Sequence, residues 1–227
     1  KGNSVSIEIY SVGDRGITLA TKGAVTLDIQ QRIWWISTEL TASEDRQIID
    51  IIPGMNSLTL TLNPYADCDK QALITRLTSL WNQSNSIDLS NHFKGKTIEV
   101  PVIYGGEKGP DLLEVATIHN LTPMEVIKRH TAPLYTVYFI GFMPGFVYLG
   151  GLDRSLETPR RAEPRLKIPA GSVGIGGAQT GVYPAESPGG WQIIGNTSLA
   201  FFDATREHPS LFLPGDQLKF IAEEILL

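Results

Sequence analysis

The first eighty residues switch between two hydrophobic periodicities. SIEIYSVG (6–13) and GITLAT (16–21) carry the two-residue alternation of short strands, parted by a turn around Gly13, Asp14 and Gly16. In LDIQQRIWWISTEL the apolar positions move to helical spacing, with Ile29, Ile33, Ile36 and Leu40 on one stripe. IIDIIPGMNSLTLTL returns to strand spacing on both sides of Pro53-Gly54-Met55-Asn56. DKQALITRLTSLW then sets Leu73, Leu77, Leu80 and Trp81 on one helical face, with Asp67 or Asp69 placed to cap it. Two helices with one apolar stripe each need a sheet to cover. The pattern therefore predicts a small α+β domain over residues 1–83, with a four-stranded sheet and two helices.

The polar run NQSNSIDLSN (82–91) interrupts both periods, and a linker is assigned to residues 84–91. The second domain, 92–227, opens on the strand TIEVPVIY. Two short helices follow, DLLEVATIHN and PMEVIKRH, the second with Thr122 at N-cap, Pro123 at N1 and Glu125 at N3 of a capping box. After YTVYFIGF the helical signal ends. Twelve of the 22 glycines fall between Gly141 and Gly195, separating short β-like segments. Closely spaced strands divided by Gly and Pro predict a barrel or closed sheet.

Charge and composition remove several function classes. A net charge of −5 argues against sequence-independent nucleic-acid binding, which depends on Lys and Arg neutralising phosphates. The helical pair 111–131 carries Lys128, Arg129 and His130 on its second element, but without a basic arm it reads as two packing helices rather than a DNA reader. One cysteine, Cys68, permits no intrachain disulfide, and His92, His119, His130 and His208 are scattered without metal-ligand spacing. No apolar run approaches the roughly 20 residues of a membrane span and no signal-peptide pattern opens the chain, so the expectation is a cytoplasmic protein.

Two glycine signatures fail on inspection. GIGGAQTG lacks the lysine of a phosphate loop and opens no helix, and GSVGIGG contains no nucleophile elbow around Ser172. What remains is TPRRAEPRLKIPAG, which gathers Arg160, Arg161, Arg165 and Lys167 on a loop stiffened by Pro159, Pro164 and Pro169. Just beyond it, Gln179 and Tyr183 stand beside glycines whose amides a ligand could reach. Guanidinium groups on such a loop suit a carboxylate or phosphate. A basic surface turn followed by barrel corners explains the same residues equally well. Residue chemistry leaves both readings open.

Three blocks carry a resemblance: GFMPGFVYLGGL (141–152), TPRRAEPRLKIPAGSVGIGGAQTGVYP (158–184) and SPGGWQIIGNT (187–197). With PGMNSL (53–58) and IEVPVIYGGEKGPDL (98–112), they resemble the KipI family, also called allophanate hydrolase subunit 1. Val147 stands where that family commonly has proline, and Gly176 where alanine is frequent. The resemblance implies an α+β N-terminal domain followed by a cyclophilin-like β-barrel domain. It implies the role of the B component in the ATP-dependent opening of 5-oxoproline to glutamate by 5-oxoprolinase, with little activity in isolation. The implied partners are the C component, of the KipA (allophanate hydrolase subunit 2) type, and the A component, of the LamB/YcsF type.

ATP is then used by the complex, and no metal or prosthetic group is implied. The alternatives within the resemblance are an inhibitor that binds a sensor histidine kinase through an apolar patch, and a carboxyltransferase-like component of urea or allophanate metabolism. Tyr148, Arg160, Arg161, Arg165, Lys167, Gly176, Gly177, Gln179 and Tyr183 are expected to line a substrate cleft or an interface cleft between partner chains. No catalytic residue is assigned.

Overall fold

The computed structural model describes residues 5–227; residues 1–4, which the sequence pattern counts within the N-terminal domain, lie outside the described residues. Contacts divide the chain into two compact units, Lys1–Phe93 and Lys94–Leu227.

The first unit contains β1 (Ile7–Val12), β2 (Gly16–Thr21), α1 (Leu27–Ala42), β3 (Ile48–Gly54), β4 (Ser57–Leu62) and α2 (Lys70–Ser84). Its antiparallel sheet has the order β1-β2-β4-β3. Ile29, Ile33, Ile36 and Leu40 of α1 and Leu73, Leu77, Leu80 and Trp81 of α2 are buried on Ile17, Leu19, Leu58, Leu60 and Leu62. Each such side chain removed from water contributes about 1.5–3 kcal/mol, which is why both stripes face the sheet. Asp69, of the two candidate caps, accepts from the Ala72 amide. Helix α2 runs on to Ser84, beyond the start of the polar run. The buried Arg32 accounts for this: its Nε donates to Ser84 Oγ at 2.8 Å, and its Nη2 to the Trp81 carbonyl at 3.0 Å. Gln30 ties α1 to the β3–β4 turn, donating to Gly54 O and accepting from Asn56 N.

The second unit contains β5 (Thr97–Gly105), α3 (Leu112–Ile118), α4 (Pro123–Thr131), β6 (Tyr135–Ile140), β7 (Val147–Gly150), β8 (Arg165–Ile168), β9 (Ser172–Gly176), β10 (Gln179–Val182), β11 (Ser187–Gly189), β12 (Gln192–Asn196) and β13 (Gln217–Leu226). Seven of these strands close into a barrel in the order β10-β7-β6-β13-β5-β12-β9, while β8 and β11 form a separate two-stranded ribbon. The expected α+β plus barrel architecture is therefore what the chain adopts. Closure is completed by β13, which pairs in parallel with β5, Gln217 opposite Thr97. A closed sheet leaves no edge for another strand to join.

At α4 the cap differs from the expected box. Thr122 accepts from the Glu125 amide at 3.1 Å, but the Glu125 carboxylate takes Arg129 Nε at 2.9 Å instead of returning to the cap. An (i, i+4) Arg is a better partner than a backbone N–H at the start of the same helix. From α4, His130 reaches the fully buried interior, where it contacts Tyr104, Thr180 and the ring of Phe220.

Candidate functional site

The arginine loop is organised by a carboxylate that lies outside it. Strand β5 ends in Gly105 and Gly106, whose positive φ angles of 80° and 54° turn the chain sharply. The following segment lies flat on β12, because a Cβ at Gly109 would overlap the Ile194 carbonyl. This delivers Asp111 beside Ile193, and the two exchange bonds. The Asp111 amide donates to Ile193 O at 2.8 Å, and the Ile193 amide donates to Asp111 Oδ2 at 2.6 Å.

Asp111 precedes α3, yet its side chain does not cap that helix. Its carboxylate is occupied by the loop. Arg165 donates a fork, Nη1 to Oδ2 at 2.6 Å and Nη2 to Oδ1 at 2.8 Å, and Arg161 Nη1 adds a bond to Oδ1 at 2.8 Å. The Asp111 side chain is only 2% exposed, so without these partners its desolvation would cost several kcal/mol. The same bonds hold the Arg165 guanidinium above the ordinary arginine range. Two cations on one anion leave a positive surplus, only partly offset by the exposed Glu114 at 3.9 Å from Arg161.

The bridge separates two hollows. On the Arg161 side is an open groove of about 600 Å³ lined by Glu114, Ile118, Pro159, Arg160, Arg161, Ala162, Glu163 and Gln192. On the Arg165 side is a smaller pocket of about 250 Å³, with Lys108, Lys167 and Ser172 among its walls. Gln192 and Ile193, adjacent on β12, face one hollow each.

Arg160 differs from its neighbours. It makes no hydrogen bond or ion pair among the described residues, while its charge acts on Tyr148 and Tyr183. Burial pushes both phenols up; Arg160 opposes that shift in each, as does a Trp191 backbone bond at Tyr183. Those tyrosines belong to an aromatic cluster around Phe146, with ring centroids 5.1 Å to Tyr148, 5.3 Å to Tyr183 and 5.4 Å to Trp191. Gly176 serves this cluster, since a Cβ there would overlap the Trp191 indole.

Similarity to known proteins decides the family. A family model described as the carboxyltransferase domain, subdomain C and D, matches residues 7–212. The chain belongs to this family. It is 45% identical over 221 residues to the B subunit of 5-oxoprolinase from Haemophilus influenzae, covering 97% of this chain and 100% of that protein. The crystal structure of TTHA0988 superposes with a TM-score of 0.76 at 33% identity, over 92% of this chain and 40% of the other. The K. lactis urea amidolyase gives a TM-score of 0.82 at 21% identity over 99% of this chain, a likeness of fold. The chain spans 15% of that enzyme's length.

This member of the carboxyltransferase subdomain family distributes its nine expected site residues over several places. Arg160 and Arg161 line the groove; Arg165 and Lys167 line the smaller pocket. Tyr148, Tyr183 and Gly176 belong to the aromatic cluster. Gly177 and Gln179 lie at the β9–β10 hairpin, where Gln179 pairs with Gly176. The glycine amides expected to be open are in part engaged: Gly177 N–H donates to Thr158 O at 2.7 Å, and Thr158 N–H returns to Gly177 O at 3.1 Å. Asp111, Ser172, Trp191 and Gln192 contribute to these surfaces although the sequence pattern does not single them out as site residues. Asp111 lies within one of the resembling blocks, but nothing in one sequence says that its partner Arg161 lies 50 residues away.

Proposed function

We propose that this chain is the B subunit of an ATP-dependent 5-oxoprolinase, which opens 5-oxoproline to glutamate. The observation that carries the reading is the 45% identity to a 5-oxoprolinase B subunit along the whole of that protein. The chain acts in the cytoplasm with a KipA-type partner and a LamB/YcsF-type partner and has little activity alone. ATP is a substrate of the complex. The GIGGAQTG segment gives no phosphate cradle here, because it forms the β9–β10 hairpin and its strand residues pair with each other.

Opening a lactam is difficult because amide resonance resists attack, so binding must fix the ring while ATP supplies the driving force. The substrate's carboxylate is a handle remote from that amide, and a cation is the natural partner for it. Of the three arginines on the loop, two are held by Asp111. Arg160 is the one with its donors available, at the edge of a groove with aromatic rings nearby. It is assigned to the carboxylate, with Arg161 fixed beside it by the bridge.

The test is reconstitution. The chain is co-expressed with its two partners, and ATP-dependent release of glutamate from 5-oxoproline is followed. Release that needs all three chains and ATP supports the reading. A complex that assembles but turns over ATP only with urea or allophanate overturns it.

A further inference from the structure

The pocket on the Arg165 side of the bridge is not needed by the groove just described, and its chemistry is of a different kind. We infer that it is a second binding site, specific for a small organic carboxylate. The inference does not rest on the proposed reaction.

Three observations combine. The first is an unused donor at the pocket wall. Ser172 is only 1% exposed and lines the pocket, yet its hydroxyl makes no hydrogen bond among the described residues. The other buried hydroxyls show what a settled one looks like: Thr158 donates to Leu156 O at 2.8 Å and Thr180 to Gly174 O at 2.8 Å. What little of Ser172 is exposed lies at the pocket wall, so its hydroxyl can turn to a ligand oxygen without giving up a protein partner.

The second is charge. Lys108, Lys167 and Arg165 all line the same small volume. Lys108 makes no ion pair among the described residues, and the only ion pair of Lys167 among them is a solvent-exposed one to Glu186 at 3.5 Å. Arg165 uses Nη1 and Nη2 on Asp111, which leaves Nε without a hydrogen bond among the described residues. The donors around the pocket therefore outnumber what the protein uses.

The third is the rest of the wall. Ile168 and Ile193 are buried apolar residues, and Pro110 and Pro169 sit beside them. Apolar walls favour a carbon skeleton over a hydrated inorganic ion. Glu107 in the lining adds a negative charge, which disfavours a dianion more than a monoanion. A carboxylate of a few carbons satisfies all of this: oxygens on Ser172 and the cations, carbons on Ile168 and Ile193. Because Arg165 shares Asp111 with Arg161, an occupant of the pocket also touches the bridge that sets the groove.

The experiment uses the full chain with ¹³C-labelled isoleucine methyl groups. Butyrate, butyramide and inorganic phosphate are titrated separately at millimolar concentrations, with the Ile168 and Ile193 signals as readout. Butyrate is expected to shift both in a saturable way, while butyramide and phosphate do not. Ser172→Ala and, as an exposed substitution that leaves the core intact, Lys108→Ala should each weaken butyrate binding by about fivefold to tenfold, the loss of one charge-assisted or buried hydrogen bond. Arg160→Ala should leave it unchanged, which separates this site from the groove. No saturable shift with butyrate, an equal response to butyramide, a response to phosphate alone, or unchanged affinity in both variants would each overturn the inference.

Discussion

Tyr104 Oη lies 2.6 Å from His130 Nδ1 inside the barrel, where neither residue reaches water. The direction of the bond follows from the other side of the ring. The Thr180 hydroxyl donates its one hydrogen to Gly174 O, so at 2.9 Å it can only accept from His130 Nε2–H. Nδ1 is then the unprotonated nitrogen, and Tyr104 donates to it. The imidazole is neutral, locked in one tautomer, and burial lowers its pKa to about 3.

That geometry fixes how stability depends on acid. An unfolded histidine takes up a proton near pH 6.5, whereas the folded one holds out to about pH 3. Between these values the unfolded state binds more protons, so stability must fall as pH falls. The slope is about 1.4 kcal/mol per pH unit, on the order of 5 kcal/mol across the full window. Urea midpoints measured from neutral to mildly acid pH should show this decline in the wild-type chain and a shallower one in His130→Gln. Equal slopes in the two proteins would exclude His130 as the source.

The Asp111 bridge should be asymmetric. Removing either arginine leaves the carboxylate with its other guanidinium and the Ile193 amide. Removing Asp111 leaves two partly buried cations facing one another. Asp111→Ala is therefore expected to cost about 3–5 kcal/mol, and Arg161→Ala about 1–2 kcal/mol. Calorimetry of the three single variants and the triple variant checks this. A triple variant more stable than Asp111→Ala is the expected signature of stranded charge.

Arg160 and Arg161 are sequence neighbours with different work. Arg160→Ala should lower turnover of the reconstituted complex by at least tenfold, about 1.4 kcal/mol of transition-state stabilisation, with little change in melting temperature. Arg161→Ala should lower both. Normal turnover in the Arg160 variant would remove the carboxylate assignment.

Adjacent glycines in the hairpin should respond to alanine for different reasons. At Gly176 the new methyl would meet the Trp191 ring, an overpacking cost of about 1–3 kcal/mol with a change in tryptophan emission. At Gly177 there is open space but φ is +61°, so the cost is about 1–2 kcal/mol of backbone strain and the emission should not change. A silent Gly176→Ala would mean that the cluster around Phe146 repacks freely.

We propose that residues 85–91 act as the linker that composition places at 84–91, Ser84 being the buried last residue of α2. No strand or helix is formed from Asn85 to Lys96, and most of these residues are exposed. Limited proteolysis should cut first within 82–95. First cuts inside the barrel strands would contradict the division.

Local rules carried the first unit almost entirely. Ile29, Ile33, Ile36 and Leu40, or Leu73, Leu77 and Leu80, announce their buried face by spacing, because a helix repeats its own environment every turn. The barrel was legible as a class, from short strands and glycines, but its strand order was not. The site was less legible still. The arginine loop could be seen, while the reason that Arg161 and Arg165 differ from Arg160 lies in Asp111, a long-range partner. His130 shows the same limit from the opposite side. Its place on α4 gave a helix face, and only tertiary structure placed that face on Thr180 and Tyr104.

The parallel seam between β5 and β13 has a consequence for biosynthesis. The strand that must lie beside Thr97 begins at Gln217, so the earlier strand leaves the ribosome long before its neighbour exists. Translation at roughly 5–20 residues per second makes that a wait of many seconds, during which the nascent sheet has an unprotected margin. The N-terminal sheet, whose strands pair within the first 62 residues, has no such delay. A message cut short before β13 should therefore yield a chain whose N-terminal sheet is paired and whose barrel strands stay open to aggregation, so that β13 acts as the clasp on which the solubility of the barrel depends.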